Sequence, residues 1–252
     1  MSMFSVKNKR VLVVGASRGI GLEISIKLKE GKADILGIAR SDINADFNYL
    51  RVDISNNKDI LYLNKYIEQN NLFFDGIVVN SAISQSPKTF DNKENTSNKQ
   101  KFTQNPRKFE LINNINLISV YELLYTVSPY ISKDASIIFI SSIGSELGFP
   151  GNPGYQTSKA GINALVRALA VDLSRDRIRV NHLNLGYINA PMSKDSYNDK
   201  KMNKERSERT ILKRWGSIED VIGPVIFLLS NESSYITGTG INVDGGWLSK
   251  GL

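Results

Sequence analysis

The sequence predicts an α/β protein: a single domain in which a doubly wound parallel sheet carries helices on both faces. Three observations predict it. Short β-branched runs alternate with longer amphipathic stretches. The runs are apolar nearly throughout rather than at every second position, as expected of parallel strands covered on both faces. A glycine-rich turn joins the first run to the first amphipathic stretch. At 252 residues and 41% hydrophobic composition, the chain can bury one substantial core.

In chain order, residues 10–14 (RVLVV), 35–39 (ILGIA), 77–80 (IVVN), 136–141 (SIIFIS), 180–185 (VNHLNL) and 240–243 (GINV) read as buried strands. Helical periodicity runs through residues 20–29, 57–70, 109–130, 155–175 and 218–229. No Pro/Gly-rich linker divides the chain and no internal repeat is visible. Two polar segments break the rhythm. Residues 84–108, rich in Asn and Lys, are expected to form a mobile surface loop, with a substrate lid or partner contact as the second reading. Residues 192–212 are expected as one or two short helices over the carboxyl edge of the sheet, a place where a lid from about residue 190 would act on substrate. Residues 225–228 (VIFL) should face the core or a sister subunit.

Composition removes several function classes. With no cysteine there is neither disulfide nor thiolate chemistry, and a single histidine, His182, reads as a satisfied core residue, so no metal site is expected. No apolar run approaches the roughly 18–20 residues of a membrane span. The opening MSMFSVK lacks the apolar core of a secretory signal, and a cytoplasmic location is expected. The net charge of +7 is scattered rather than gathered on one helix face with aromatics, which argues against nucleic acid. An anionic cofactor or substrate would use a few of these charges.

Gly15-Ala16-Ser17-Arg18-Gly19-Ile20-Gly21 ends the first strand and opens the first helix. Glycines here allow a tight turn and close approach of the backbone to a pyrophosphate, and the helix start offers unpaired amides. The end of the second strand selects the nucleotide. An acid there would bind the ribose hydroxyl of NAD, and an arginine the 2′-phosphate of NADP. The strand ends Ile38-Ala39-Arg40-Ser41. Arg40 and Arg18, with the hydroxyls of Ser17 and Ser41, compose a dianion site that favours NADP(H), unless Arg40 is an ordinary surface arginine.

Tyr155 and Lys159 lie four residues apart in one expected helix, with Ser142 thirteen residues upstream at the end of a strand. That spacing puts a phenol and an ammonium on the same helical face, where the cation is expected to lower the phenol pKa toward neutrality.

Together these residues resemble the short-chain dehydrogenase/reductase family, from about residue 8 to 248. Gly15–Gly21 matches its glycine motif, and Asp53 matches the acid beside the adenine. Asn116, Ser142, Tyr155 and Lys159 match its catalytic tetrad, and Gly238 with Val243-Asp244-Gly245-Gly246-Trp247 its closing pattern. The resemblance implies a Rossmann fold of seven parallel strands and an NADP-dependent reduction of a carbonyl to an alcohol. Tyr155 would exchange the proton, Ser142 would bind the carbonyl oxygen, Lys159 would tune Tyr155 and hold the ribose, and Asn116 would hold a water. It also implies cofactor contacts from Asp53, Ile54, Asn80, Ser81, Ala82, Gly186 and Ile188, and assembly as a homodimer or homotetramer.

Three positions depart from the family pattern: Ile83 stands for a glycine, Leu185 for a proline and Ala190 for a threonine. Residues 214–230 resemble the branch containing 3-oxoacyl-acyl-carrier-protein reductases, with Lys133 and Arg175 near where that branch meets its acidic carrier. The substrate is therefore a small carbonyl or alcohol, free or carried on a protein, with acyl thioesters, keto-sugars and other ketones all open. The rival reading is a non-catalytic NADP-binding sensor of the same fold.

Overall fold

The computed structural model describes residues 4–84, 102 and 104–250. Its centre is a seven-stranded, wholly parallel sheet in the order β3-β2-β1-β4-β5-β6-β7. The strands are β1 (Arg10–Val14), β2 (Asp34–Ala39), β3 (Asn48–Arg51), β4 (Phe74–Val79), β5 (Ile131–Ser142), β6 (Arg179–Leu185) and β7 (Gly240–Val243). Chain direction across the sheet reverses between β1 and β4, and that switch point opens a crevice at the carboxyl edge.

Alternate residues of each strand serve opposite faces, so the sheet separates two apolar cores. Leu12 and Val14 join one core with α2 (Asn57–Gln69), α4 (Ser119–Val127) and α5 (Pro153–Asp172). Val11 and Val13 join the other with α1 (Gly19–Glu30) and α8 (Glu219–Leu229). At about 25 cal/mol per Å² of apolar surface, this two-sided burial is the main term holding the sheet. Arg179, also buried, donates to the carbonyls of Leu228 (2.9 Å) and Ser230 (3.2 Å) and to Ser233 Oγ (2.8 Å), closing the end of α8.

The expected helix over 109–130 is not continuous. It divides into α3 (Pro106–Asn113), a π-helical turn at Asn114–Ile118, and α4. Its start also lies three residues earlier than expected, inside the 84–108 segment. Asn105 caps the Arg107 amide at 2.8 Å and Pro106 occupies the first turn. The remainder of the expected loop, residues 85–101 and 103, lies outside the described residues. Over the carboxyl edge, the 192–212 stretch forms two short helices, α6 (Lys194–Asn198) and α7 (Lys200–Arg209).

Candidate active site

Gly15 and Gly19 adopt φ of +85° and +55°, the left-handed region that favours glycine. Close approach constrains the turn as well. A Cβ on Gly21 would lie 2.1 Å from the Gly15 carbonyl oxygen, and one on Gly19 2.8 Å from Pro191. Asn80, at the end of β4, donates its amide to the Gly15 carbonyl (3.2 Å) and ties the turn to the neighbouring strand. The buried Ser81 hydroxyl beside it has no hydrogen-bond partner among the described residues. A backbone held open for close approach, with an unsatisfied hydroxyl next to it, fits a dinucleotide.

Arg18, within this turn, and Arg40 and Ser41, just past the end of β2, are exposed. A third arginine, unnoticed in the sequence, joins them. Arg51 of β3 pairs in register with Ala39, donates to the Arg40 carbonyl (3.1 Å) and pairs with Asp42 (3.3 Å). Asp53 accepts from the amide and hydroxyl of Ser55 (3.0 and 2.7 Å), and Ile54 is buried behind it.

β5 ends at Ser142, whose hydroxyl accepts from Gly144 N (3.1 Å). The start of α5 carries Tyr155, and Lys159 Nζ sits 5.7 Å from the Tyr155 ring centre. The titration of this pair corrects the sequence expectation. Burial dominates and raises the Tyr155 pKa; the Ser142 hydrogen bond opposes it and the Tyr187 phenol adds to it. Burial also lowers Lys159 from 10.5 to about 8, with Nζ turned onto the Ile140 carbonyl at 2.6 Å. Burial therefore sets the direction of both shifts, away from the charged form of each group.

Asn116 lies in the π-helical turn with its carboxamide fully engaged. Oδ1 accepts from Ile83 N (2.8 Å), and Nδ2 donates to the Ile83 carbonyl (2.9 Å) and to Ser158 Oγ (3.1 Å). Ser158 in turn donates to the Tyr155 carbonyl (2.7 Å). Asn116 thus joins the segment after β4 to the helix bearing Tyr155. Ile83, standing where the family has glycine, is not among the positive-φ residues, so no left-handed backbone is required there.

The sequence reading also missed a polar network behind this group. Ser141, Asn163, Ser145, Asn184 and Glu146 are linked by contacts of 2.6–3.3 Å. Asn163 continues the four-residue spacing of Tyr155 and Lys159, a signal present in the sequence. Gln104 carried no such signal: buried, it accepts from Gly154 N (2.8 Å) at the start of α5.

After β6, Gly186 N donates to the Val243 carbonyl (3.0 Å) and Ile188 bridges to Gly216. Where the family threonine is replaced by Ala190, Ser193 folds back, its hydroxyl donating to the Ile188 carbonyl and accepting from Ala190 N (3.2 Å). His182 is buried but not satisfied. Its Nδ1 has no partner, and burial with nearby Arg167 holds its pKa down to about 4. Lys133 and Arg175 stand at the amino edge, opposite Tyr155 of the same chain. No metal-binding cluster occurs among the described residues.

The family model described as enoyl-(acyl carrier protein) reductase matches residues 15–248. The chain belongs to the short-chain dehydrogenase/reductase family. One short-chain dehydrogenase relative, the 2-dehydro-3-deoxy-D-gluconate 5-dehydrogenase of Bacillus subtilis (strain 168), is 29% identical over 98% of this chain and 97% of its own. A second, the 3-oxoacyl-acyl-carrier-protein reductase of Buchnera aphidicola subsp. Schizaphis graminum (strain Sg), is 28% identical over 96% of this chain and 98% of its own. The crystal structure of a gluconate 5-dehydrogenase from Burkholderia cenocepacia J2315, in complex with NADP and tartrate, shares the Rossmann-type fold. Its TM-score is 0.85 at 24% identity, covering 98% of each chain. The short-chain dehydrogenase relatives of this chain are oxidoreductases.

Proposed function

We propose that this chain is an NADPH-dependent carbonyl reductase built as a single domain, with α6 and α7 as its substrate lid. One observation supports the reading: Lys159 Nζ lies 5.7 Å from the Tyr155 ring, Ser142 ends β5 at the carboxyl edge of the sheet, and the glycine turn follows β1 at the same edge. When bound, the dinucleotide supplies the two electrons and one hydrogen of the reduction. Gly15, Ser17, Gly19, Ile20 and Gly21 receive its pyrophosphate, and Arg18, Arg40 and Ser41, with Arg51 beside them, its 2′-phosphate. Asp53 and Ile54 flank the adenine. Asn80, Ser81, Ala82, Gly186 and Ile188 line the rest.

Tyr155 gives its proton to the carbonyl oxygen, which leaves as the alcohol, and solvent restores the phenol. The phenol carries its proton at neutral pH, the form that donation in this direction requires. Ser142 donates a hydrogen bond to the same oxygen and offsets its developing charge. Lys159, anchored on the Ile140 carbonyl, orients the phenol and holds the nicotinamide ribose. Asn116 acts as a positioning residue. The substrate is a small carbonyl compound handled in the cytoplasm, and no helix among the described residues is long and apolar enough to cross a membrane. Copies associate through α4 and α5, a reading supported by the exposure of Tyr121, Tyr125 and Val171 on those helices.

The test is NADPH oxidation against a panel of ketones, acyl thioesters and keto-sugars, with Tyr155→Phe alongside. We expect turnover with at least one class, lowered about 10³-fold in the variant while NADPH binding persists. Wild-type rates in Tyr155→Phe would refute the assignment. NADPH binding without turnover of any substrate would favour the sensor.

A further inference from the structure

The lid helix α7 carries one cation with a buried nitrogen that the fold leaves unexplained. Several of its charged neighbours have partners: Lys204 pairs with Glu208 (3.8 Å), Arg214 with Asp220 (2.7 Å), Lys213 donates to the Glu208 carbonyl (2.8 Å), and the exposed Arg209 lies 5.7 Å from the Trp247 ring centre. Arg206 has no hydrogen bond or ion pair among the described residues, and its Nη1 is buried without any acceptor. A buried guanidinium nitrogen lacking an acceptor has lost its water without compensation, so such a group is uncommon unless something else fills the place.

An aromatic box holds Arg206 in position. Its Cζ lies 4.4 Å from the ring centre of Tyr187 and 5.8 Å from that of Trp215. Trp215 packs at 5.2 Å on both Tyr187 and Tyr197, and its Nε1 donates to the Asn203 carbonyl (3.2 Å), tying the box to α7. Trp247 lies 5.0 Å from Tyr187. Stacking satisfies the face of a guanidinium, but its N–H groups point outward in the plane and still need acceptors. On its other side, Tyr187 packs at 6.3 Å on Phe149, whose backbone amide and carbonyl are bonded by the side chain of Gln156, the residue after Tyr155. The box is thereby tied to the start of the helix that carries the proposed proton donor.

We propose that Arg206 binds a carboxylate on the substrate, so that the molecule reduced at Tyr155 is a keto acid and its product a hydroxy acid. This rests on the reductase reading for the place of the carbonyl, and it names the substrate class within that reading. A guanidinium suits the task because it meets a carboxylate with two parallel N–H donors while its face stays on the ring. A neutral acyl thioester would leave Arg206 unpaired.

Trp215 and Trp247 are the two tryptophans of the chain and both belong to this box, so intrinsic fluorescence reports on it directly. Binding is titrated with NADP+ saturating, using two matched pairs: acetoacetate against methyl acetoacetate, and 5-keto-D-gluconate against D-fructose. We expect saturable quenching with the acid of at least one pair bound at least 10-fold more tightly than its neutral counterpart. Arg206→Met should lower that preference about 30-fold or abolish it, in line with loss of a charged hydrogen bond. Arg206→Lys should retain part of it. A merely structural Arg206 would weaken acid and neutral ligands alike and leave their ratio unchanged, which would overturn the proposal. Equal binding of acid and ester by the unmodified protein, or no saturable quenching by either acid, would overturn it as well. Carboxylate preference in binding without any NADPH-linked turnover would support Arg206 and sink the reductase reading. Turnover of neutral ketones with no preference for acids would do the reverse.

Discussion

Replacing Lys159 by methionine should make the protein more stable at neutral pH while removing its activity. Lys159 is 4% exposed, and burial lowers its pKa from 10.5 to about 8. That lowering corresponds to about 3 kcal/mol of unfavourable energy for the charged form in the fold. A base depressed on folding binds fewer protons in the native state than in the unfolded chain between pH 8 and 10.5. The penalty is therefore fully present below about pH 8, shrinks as pH rises through that window and vanishes above 10.5. Methionine fills similar space without charge, but it leaves the Ile140 carbonyl without its donor, at a cost of about 1 kcal/mol. The net gain at pH 7 is about 2 kcal/mol, which for a chain of this size raises Tm by roughly 4–8 °C. Thermal unfolding followed by circular dichroism at pH 7 and pH 10, on both proteins, reads it. The reasoning fails if Lys159→Met melts below the unmodified protein at pH 7, or if its advantage is the same at pH 10.

Three further outcomes are expected. Arg40→Asp should erode the preference for NADPH over NADH by at least about 10-fold in kcat/KM, since a carboxylate repels the phosphate and accepts from a ribose hydroxyl; an unchanged ratio would show that Arg40 is only a surface arginine. Gly21→Ala places a Cβ 2.1 Å from the Gly15 carbonyl oxygen, so dinucleotide binding measured by calorimetry should be lost. Gln104→Leu strips the acceptor from Gly154 N at the start of α5, which should cost about 1–3 kcal/mol of stability and lower kcat more than the KM for NADPH. A loss confined to KM would count against Gln104 as a positioning group for Tyr155.

The strands with two buried faces were legible because their apolar runs have no other use, and β1, β4, β5 and β6 were located within a few residues. Edge strand β3 was not. Its sequence, NYLR, is only partly buried and carries no apolar run, so it became visible only through its neighbour Asp53. The π-helical turn around Asn116 was equally hidden, because five residues of shifted hydrogen bonding barely disturb a helical pattern read over twenty. The glycine turn and the Ser142–Tyr155–Lys159 group were legible from spacing, since each needs a fixed local geometry. Arg51, Arg206 and Gln104 were not, because their significance depends on neighbours distant in sequence. The Tyr155 titration was expected in the opposite direction for the same reason: spacing reveals a neighbouring charge but not how dry the site is.

The chain departs from the crevice at Ser84 and is held again at Gln104, and both ends are fastened to the same few atoms. Asn152 donates to the Ser84 hydroxyl (2.7 Å) and accepts from Gln104 (3.3 Å), while Gln104 accepts from Gly154. Ser84 and Gln104, twenty positions apart in the chain, are thereby held at one point beside the helix start that presents Tyr155. Loss of the Asn152 carboxamide would therefore loosen both anchor points and the helix start together.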